Sequence, residues 1–175
     1  MAAGLLADAV ASVGEAVRGQ PLAVDLWRYK SESGDESARR RLRLMLLRFL
    51  RDQGPSLWRA AGMEGFPQLW TMVPTGRGRF GEHPLAELVA PCLRIPRVSF
   101  AQRPDAADRG RELDPTWLRV LTPVRDQDVL VLDDTWVTGS SAQSAAVALK
   151  LAGAAHVAIV VLGRHSQSPL VLANR

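Results

Sequence analysis

The chain has 175 residues, 47% of them hydrophobic and 23% charged, which is enough for one domain with a buried core and too few for two comfortable ones. Its 22 basic and 18 acidic residues leave a net charge of +4, with a pI near 10.2, an excess that suits a phosphate-rich small ligand as well as a nucleic acid. A single cysteine, Cys92, excludes an internal disulfide and a multi-cysteine zinc site and fits a reducing cytoplasm.

Leu5, Leu6, Ala9, Val10, Val13 and Val17 fall at helical spacing, so residues 3–18 are predicted as a helix with a narrow apolar stripe, ended by Gly19 and Pro21. This opening stretch carries Asp8 and Glu15 and no basic segment, which predicts no signal peptide. The segment LAVDLWRYK follows, with Trp27, Tyr29 and Lys30, and then a polar loop over residues 31–37. Residues 36–52 predict a strongly amphipathic helix. Leu42, Met45, Leu46, Phe49 and Leu50 form one face, and Arg39, Arg40, Arg43, Arg48 and Arg51 crowd the rest. Two readings stay open for those arginines: a solvated face whose stems cover the edge of a core, or a basic surface for nucleic acid or an acidic partner.

PQLWTMVP (67–74) reads as a buried strand ending at Pro74, with the turn TGRGRFGEHP and a helix over PLAELVAPCL after it. Gly76 and Gly78 free the backbone and Arg77 and Arg79 bring charge, so the turn is either phosphate-shaped or a solvated surface turn. Residues 98–100 and 116–121 are short β-type runs. The polar stretch AQRPDAADRGRELDP between them is either a functional loop or an insertion. The three histidines, His83, His156 and His165, lack metal-ligand spacing, and no apolar run reaches the length of a membrane span.

Val129 to Leu132 reads as a strand buried on both faces, running directly into Asp133 and Asp134. The small-residue turn Thr138-Gly139-Ser140-Ser141 then opens a helix through Ala142, Ala145, Ala146 and Leu149. Gly153 ends that helix, and residues 156–164 form another apolar strand, predicted to lie parallel beside the first through a crossover. Amides at a helix N-terminus bind phosphate, and carboxylates at a strand's carboxyl end sit where open α/β sheets hold ligands. A phosphate cradle beside acceptors for two vicinal hydroxyls describes a ribose 5-phosphate site. The plain alternative is a turn with Ser140 or Ser141 as an ordinary cap. A Walker-type loop is excluded because no lysine follows the glycine turn.

The stretch VLVLDDTWVTGSS resembles the signature of type I phosphoribosyltransferases for phosphoribosyl pyrophosphate (PRPP). The resemblance implies an α/β fold with a central, mostly parallel sheet flanked by helices and an N-terminal helical hood. Residues 1–175 would be one domain, with a helical part over 1–60 and a PRPP-binding core over 65–165. It further implies that Asp133 and Asp134 bind the ribose hydroxyls and act in catalysis with Arg109. Thr135, Val137, Thr138, Gly139, Ser140 and Ser141 would hold the 5-phosphate, and Pro74, Thr75, Gly76, Arg77, Gly78 and Arg79 the pyrophosphate. Arg103, Arg109 and Arg111 would lie on a loop closing over PRPP. Magnesium would enter with PRPP, Asp133 and Asp134 being the candidates for direct contact.

The Val-Pro pair before an arginine-rich turn, with Tyr-Lys and an amphipathic helix upstream, is similar to the ComF-type branch. The chain departs from that branch in lacking its N-terminal zinc cysteines and in carrying RFGEHP where Arg-Gly-Phe-Asn is usual. Val137 stands where hypoxanthine-type enzymes have an Asp near the base, which disfavours that chemistry. Trp136 is open to either stacking on a substrate ring or packing. What the resemblance implies is a cytoplasmic, homodimeric transferase without membrane attachment, moving the phosphoribosyl group to a base or amine with release of pyrophosphate. The alternative is a non-catalytic PRPP or nucleotide sensor on the same fold, binding nucleic acid or serving DNA uptake.

Overall fold

Strands β5 (Asp128–Trp136) and β6 (His156–Arg164) run parallel at the centre of the computed structural model, with Asp128 beside His156 and Trp136 beside Arg164. The structure describes residues 3–31, 35–74, 83–103 and 112–165. β1 (Ala9–Glu15) pairs with the outer side of β6 and β2 (Leu69–Met72) with the outer side of β5, giving an all-parallel sheet in the order β1-β6-β5-β2. Such a sheet must be covered on both faces, and its central strands accordingly are continuous apolar runs.

Alternation along those runs sends side chains into two layers. Val129, Val131, Val157, Ile159 and Val161 pack with Trp117 and the alanines of α5 (Ser140–Leu151). Leu130, Leu132, Ala158, Val160 and Leu162 pack under α1 (Pro21–Arg28), α2 (Glu36–Asp52), α3 (Gly54–Ala60) and α4 (Pro84–Val89). The fold is therefore α/β, a parallel sheet between two helical layers. Beyond β2, Trp70 donates its amide to Pro96 and accepts from Val98, a parallel bridge that extends the sheet by a few residues. β3 (Phe100–Gln102) and β4 (Leu118–Val120) form a separate antiparallel pair. No helix among the described residues is long and apolar enough to cross a membrane.

The strands expected around residues 67–74, 129–132 and 156–164 and the helices from residues 36 and 140 form as read. The helix expected over residues 3–18 does not: a 3-10 turn at Ala3–Leu5 leads into β1. The apolar spacing there fits a helix, but tertiary pairing wins, because β6 needs a partner along its outer edge. Asp8 fixes the register at one end, its amide bonding the Val157 carbonyl at 2.8 Å and its Oδ2 accepting from the Val157 amide at 2.7 Å. The first helix is α1 instead, with Pro21 at its start, where a missing N–H costs nothing. The helical part of residues 1–60 thus consists of α1, α2 and α3, laid against one face of the sheet.

α1 sits close over the strand ends because Gly163 leaves room for it. A Cβ there would lie 2.4 Å from Leu26 Cδ1. α1 is tied to α2 by the buried Asp25 carboxylate, which accepts from Arg41 Nε at 2.8 Å and Nη2 at 2.6 Å. This seating delivers the two residues after α1, Tyr29 and Lys30, to the carboxyl end of β5.

Candidate functional site

β5 has its last apolar core residue at Leu132 and then presents Asp133 and Asp134 at the carboxyl edge of the sheet. Asp134 is buried. Its Oδ2 accepts from the Tyr29 hydroxyl at 2.5 Å, pairs with Lys30 Nζ at 2.7 Å, and lies 3.7 Å from His83 Nε2. His83 also caps α4, its Nδ1 accepting from the Leu85 amide at 3.0 Å, which places the ring proton on Nε2, facing Asp134. Asp133 is half-buried and accepts the Asp134 amide on Oδ1 at 2.9 Å.

These surroundings split the pair. Burial pushes the Asp133 carboxyl up to about 7, aided by the neighbouring Asp134 charge and opposed by the Asp134 and Thr135 amides and Lys30. Burial also works against ionised Asp134, but Lys30, the Tyr29 hydroxyl and His83 outweigh it and hold that carboxyl below its usual range. One carboxylate stays charged while its neighbour titrates near neutrality, the division of labour seen wherever two acids share a site. Between about pH 4 and pH 7 the folded chain keeps a proton on Asp133 that the unfolded chain has released. Stability should therefore fall as pH rises through that window and level off above pH 7. Urea midpoints from pH 4.5 to 8 check this, and Asp133→Asn is expected to remove the slope.

The next turn supplies the cradle. Gly139 adopts φ 77°, ψ −2°, and stands at the N-cap of α5, where it offers backbone and no capping side chain. Thr138 Oγ1 lies 3.0 Å from Ser140 Oγ and accepts from the Ser140 amide at 3.3 Å. Thr138 and Val137 are exposed, and Ser140 and Ser141 are half-buried. A Cβ on Gly139 would fall 2.1 Å from the Trp136 ring, so the indole lies directly on this glycine. Trp136 also packs against the α5-side core, and this contact shapes the loop from beneath.

β2 leaves the sheet at the same edge, since Met72 pairs with Leu132 and the Val73 amide bonds the Leu132 carbonyl at 3.0 Å. Pro74 follows there, half-buried. Thr75, Gly76, Arg77, Gly78 and Arg79 lie outside the described residues, as do Arg109 and Arg111. Arg103 is described, and its guanidinium is held by Thr116 Oγ1 at 2.8 Å and Asp114 Oδ2 at 3.4 Å.

Tyr29, Lys30 and His83 are the site residues that sequence reasoning left without a role. The Tyr-Lys pair was visible as a motif, but its contact with Asp134 spans more than a hundred positions. His83 gave no signal beyond its place before Pro84. The arginines of α2 turn out to be largely engaged within the chain. Arg39 pairs with Glu87 at 3.4 Å, Arg41 with Asp25, and Arg43 Nε bonds the Leu88 carbonyl at 3.0 Å. Arg48 and Arg51 both meet Asp52. Among the described residues no three acidic, histidine or cysteine side chains gather as a metal cluster.

No protein-family model matches the sequence, and no curated protein matches it. Among solved structures, the chain is similar to a hypoxanthine phosphoribosyltransferase from Staphylococcus aureus, with TM-score 0.42 and 13% identity over 75% of this chain and 70% of that one. It is also similar to a purine phosphoribosyltransferase from Pyrococcus horikoshii, with TM-score 0.41 and 19% identity over 74% and 77%. The strand order and site geometry described above stand without these likenesses.

Proposed function

We propose that this protein is a phosphoribosyltransferase that binds PRPP with magnesium and transfers the phosphoribosyl group to a base or amine. One observation carries the reading. A parallel strand ends in two adjacent carboxylates, the second buried and held by Tyr29 and Lys30, and continues, within five residues, into a left-handed glycine that opens a helix. The backbone amides from Thr138 to Ser141 would take the 5-phosphate, and Asp133 and Asp134 the ribose hydroxyls. Tyr29 and Lys30 act by fixing Asp134.

The residues present fit magnesium. It is a hard cation that needs only one or two carboxylates beside substrate phosphates, and half-buried Asp133 offers one. When bound, it would neutralise charge on the pyrophosphate. In the transfer itself the bond from the anomeric carbon to the pyrophosphate oxygen breaks, and a bond from the acceptor nitrogen forms. The state between has oxocarbenium character. The two carboxylates would stabilise that positive charge, and the acceptor's proton would leave to Asp133 or to water.

PRPP with magnesium should raise the melting temperature. A ligand bound only by the native state at a hundredfold over its Kd adds about 2.7 kcal/mol. The same sample, given a panel of bases and amines, should release pyrophosphate. An unmoved melting curve at millimolar PRPP and magnesium would remove the basis for the proposal.

A further inference from the structure

A cleft of about 810 Å³ opens between α1 and the carboxyl ends of the sheet, with Lys30 and Thr135 at its inner end. Ala23, Val24 and Leu26 of α1 give it apolar walls, and the Trp27 side chain stands on it, 74% exposed. An exposed indole on an apolar cleft is a surface made to be covered by a flat ring. Three basic side chains, Arg18, Arg28 and Lys30, line the same space together with His165, and no acidic side chain among the described residues does. Arg18 makes no ion pair among the described residues, and Arg28 reaches Asp35 only at 3.9 Å. Lys30 is shared, since the ammonium that pairs with Asp134 also borders the cleft.

We infer that this cleft is the acceptor subsite and takes a planar aromatic or heteroaromatic ring bearing an acidic group. The inference rests on the transferase reading, because Lys30 and Thr135 join the cleft to the proposed ribose site. Charge decides the class of acceptor. An ammonium-bearing acceptor would be repelled by Arg18, whose charge no carboxylate among the described residues offsets, and a neutral ring would use the indole but leave Arg18 without an anion. A ring carboxylate uses both: the indole stacks on its face and a guanidinium binds its two oxygens side by side.

The test is calorimetry and ligand-observed NMR on the full chain, with benzoate and pyridine-3-carboxylate against benzamide and benzylamine, all without PRPP. The carboxylates are expected to bind at least about tenfold tighter than the amide, and benzylamine weakest. Trp27→Ala should weaken all the rings several-fold, and Arg18→Ala should abolish the preference for carboxylate over amide. Both side chains are exposed, so the variants should keep the wild-type melting temperature. Equal binding of acid, amide and amine would overturn the inference, as would a carboxylate preference that survives Arg18→Ala. Ribose 5-phosphate titrated into the same samples keeps the two readings apart. If it binds while the ring acids do not, the acceptor inference falls alone. If the ring acids bind while it does not, the transferase reading falls, and the acceptor role of the cleft falls with it.

Discussion

With Asp133 and Asp134 both changed to asparagine, PRPP affinity should fall at least about tenfold, because charge-assisted hydrogen bonds worth roughly 1.5–3 kcal/mol each become neutral ones. Inorganic phosphate, held by the backbone of Thr138 to Ser141, should bind as well as before or slightly better once two nearby negative charges are gone. The single variants are expected to differ. Asp133 touches little beyond backbone amides and burial disfavours its ionised form, so Asp133→Asn should lose ribose affinity while its melting temperature stays near that of the wild type at pH 4.5 and rises above it at pH 8. Asp134 holds buried Tyr29 and pairs with Lys30, so Asp134→Asn should also cost about 1–3 kcal/mol of stability. Calorimetric titration with PRPP and phosphate, beside melting curves of all three variants, separates these effects. If the two single variants lose stability alike and neither loses affinity selectively, the pair is only a turn.

Gly139→Ala is expected to have the other large effect. At φ 77° any L side chain is strained by about 1–2 kcal/mol, and this methyl would also land 2.1 Å from the Trp136 ring. Displacing the indole from its packing adds about 1–3 kcal/mol. The cradle would shift with it, so binding of phosphate and of PRPP should weaken together, unlike the selective loss from Asp133→Asn. Pairing the change with Trp136→Leu removes the clash and leaves the backbone strain. Stability in the double variant should therefore recover in part. Full recovery would show that the left-handed conformation itself matters little.

The sheet centre was legible because its chemistry is local. Val129–Leu132 and His156–Arg164 are long apolar runs, and the Asp133 to Ser141 stretch brings its acids and glycine close together in sequence. β1 was not legible, since Leu5, Ala9, Val10 and Val13 suit a helix as well as a strand. Only the open edge of β6, distant in sequence, decides between them. The same distance hid the setting of the site. Nothing near Asp134 announces Tyr29, Lys30 or His83, which hold the Asp134 carboxyl low, while burial and the adjacent Asp134 charge push the Asp133 carboxyl up. The α2 arginines show the reverse case. A run of like charge left a solvated face and a partner surface both open, and the structure adds partners within the chain, Asp25, Asp52, Glu87 and a main-chain carbonyl, while Arg48 and Arg51 stay exposed.

Parallel calorimetric titrations of the wild-type chain with ribose 5-phosphate, inorganic phosphate and ribose would show whether carboxylate pair and glycine-opened helix form one site. If they do, ribose 5-phosphate should bind at least about tenfold tighter than phosphate, because the same ligand then uses both halves and gains charge-assisted bonds from its hydroxyls. Ribose alone should bind too weakly to measure. Ribose 5-phosphate binding no tighter than phosphate, or not at all, would contradict the assignment of Asp133, Asp134 and Thr138 to Ser141 to a phosphoribosyl site.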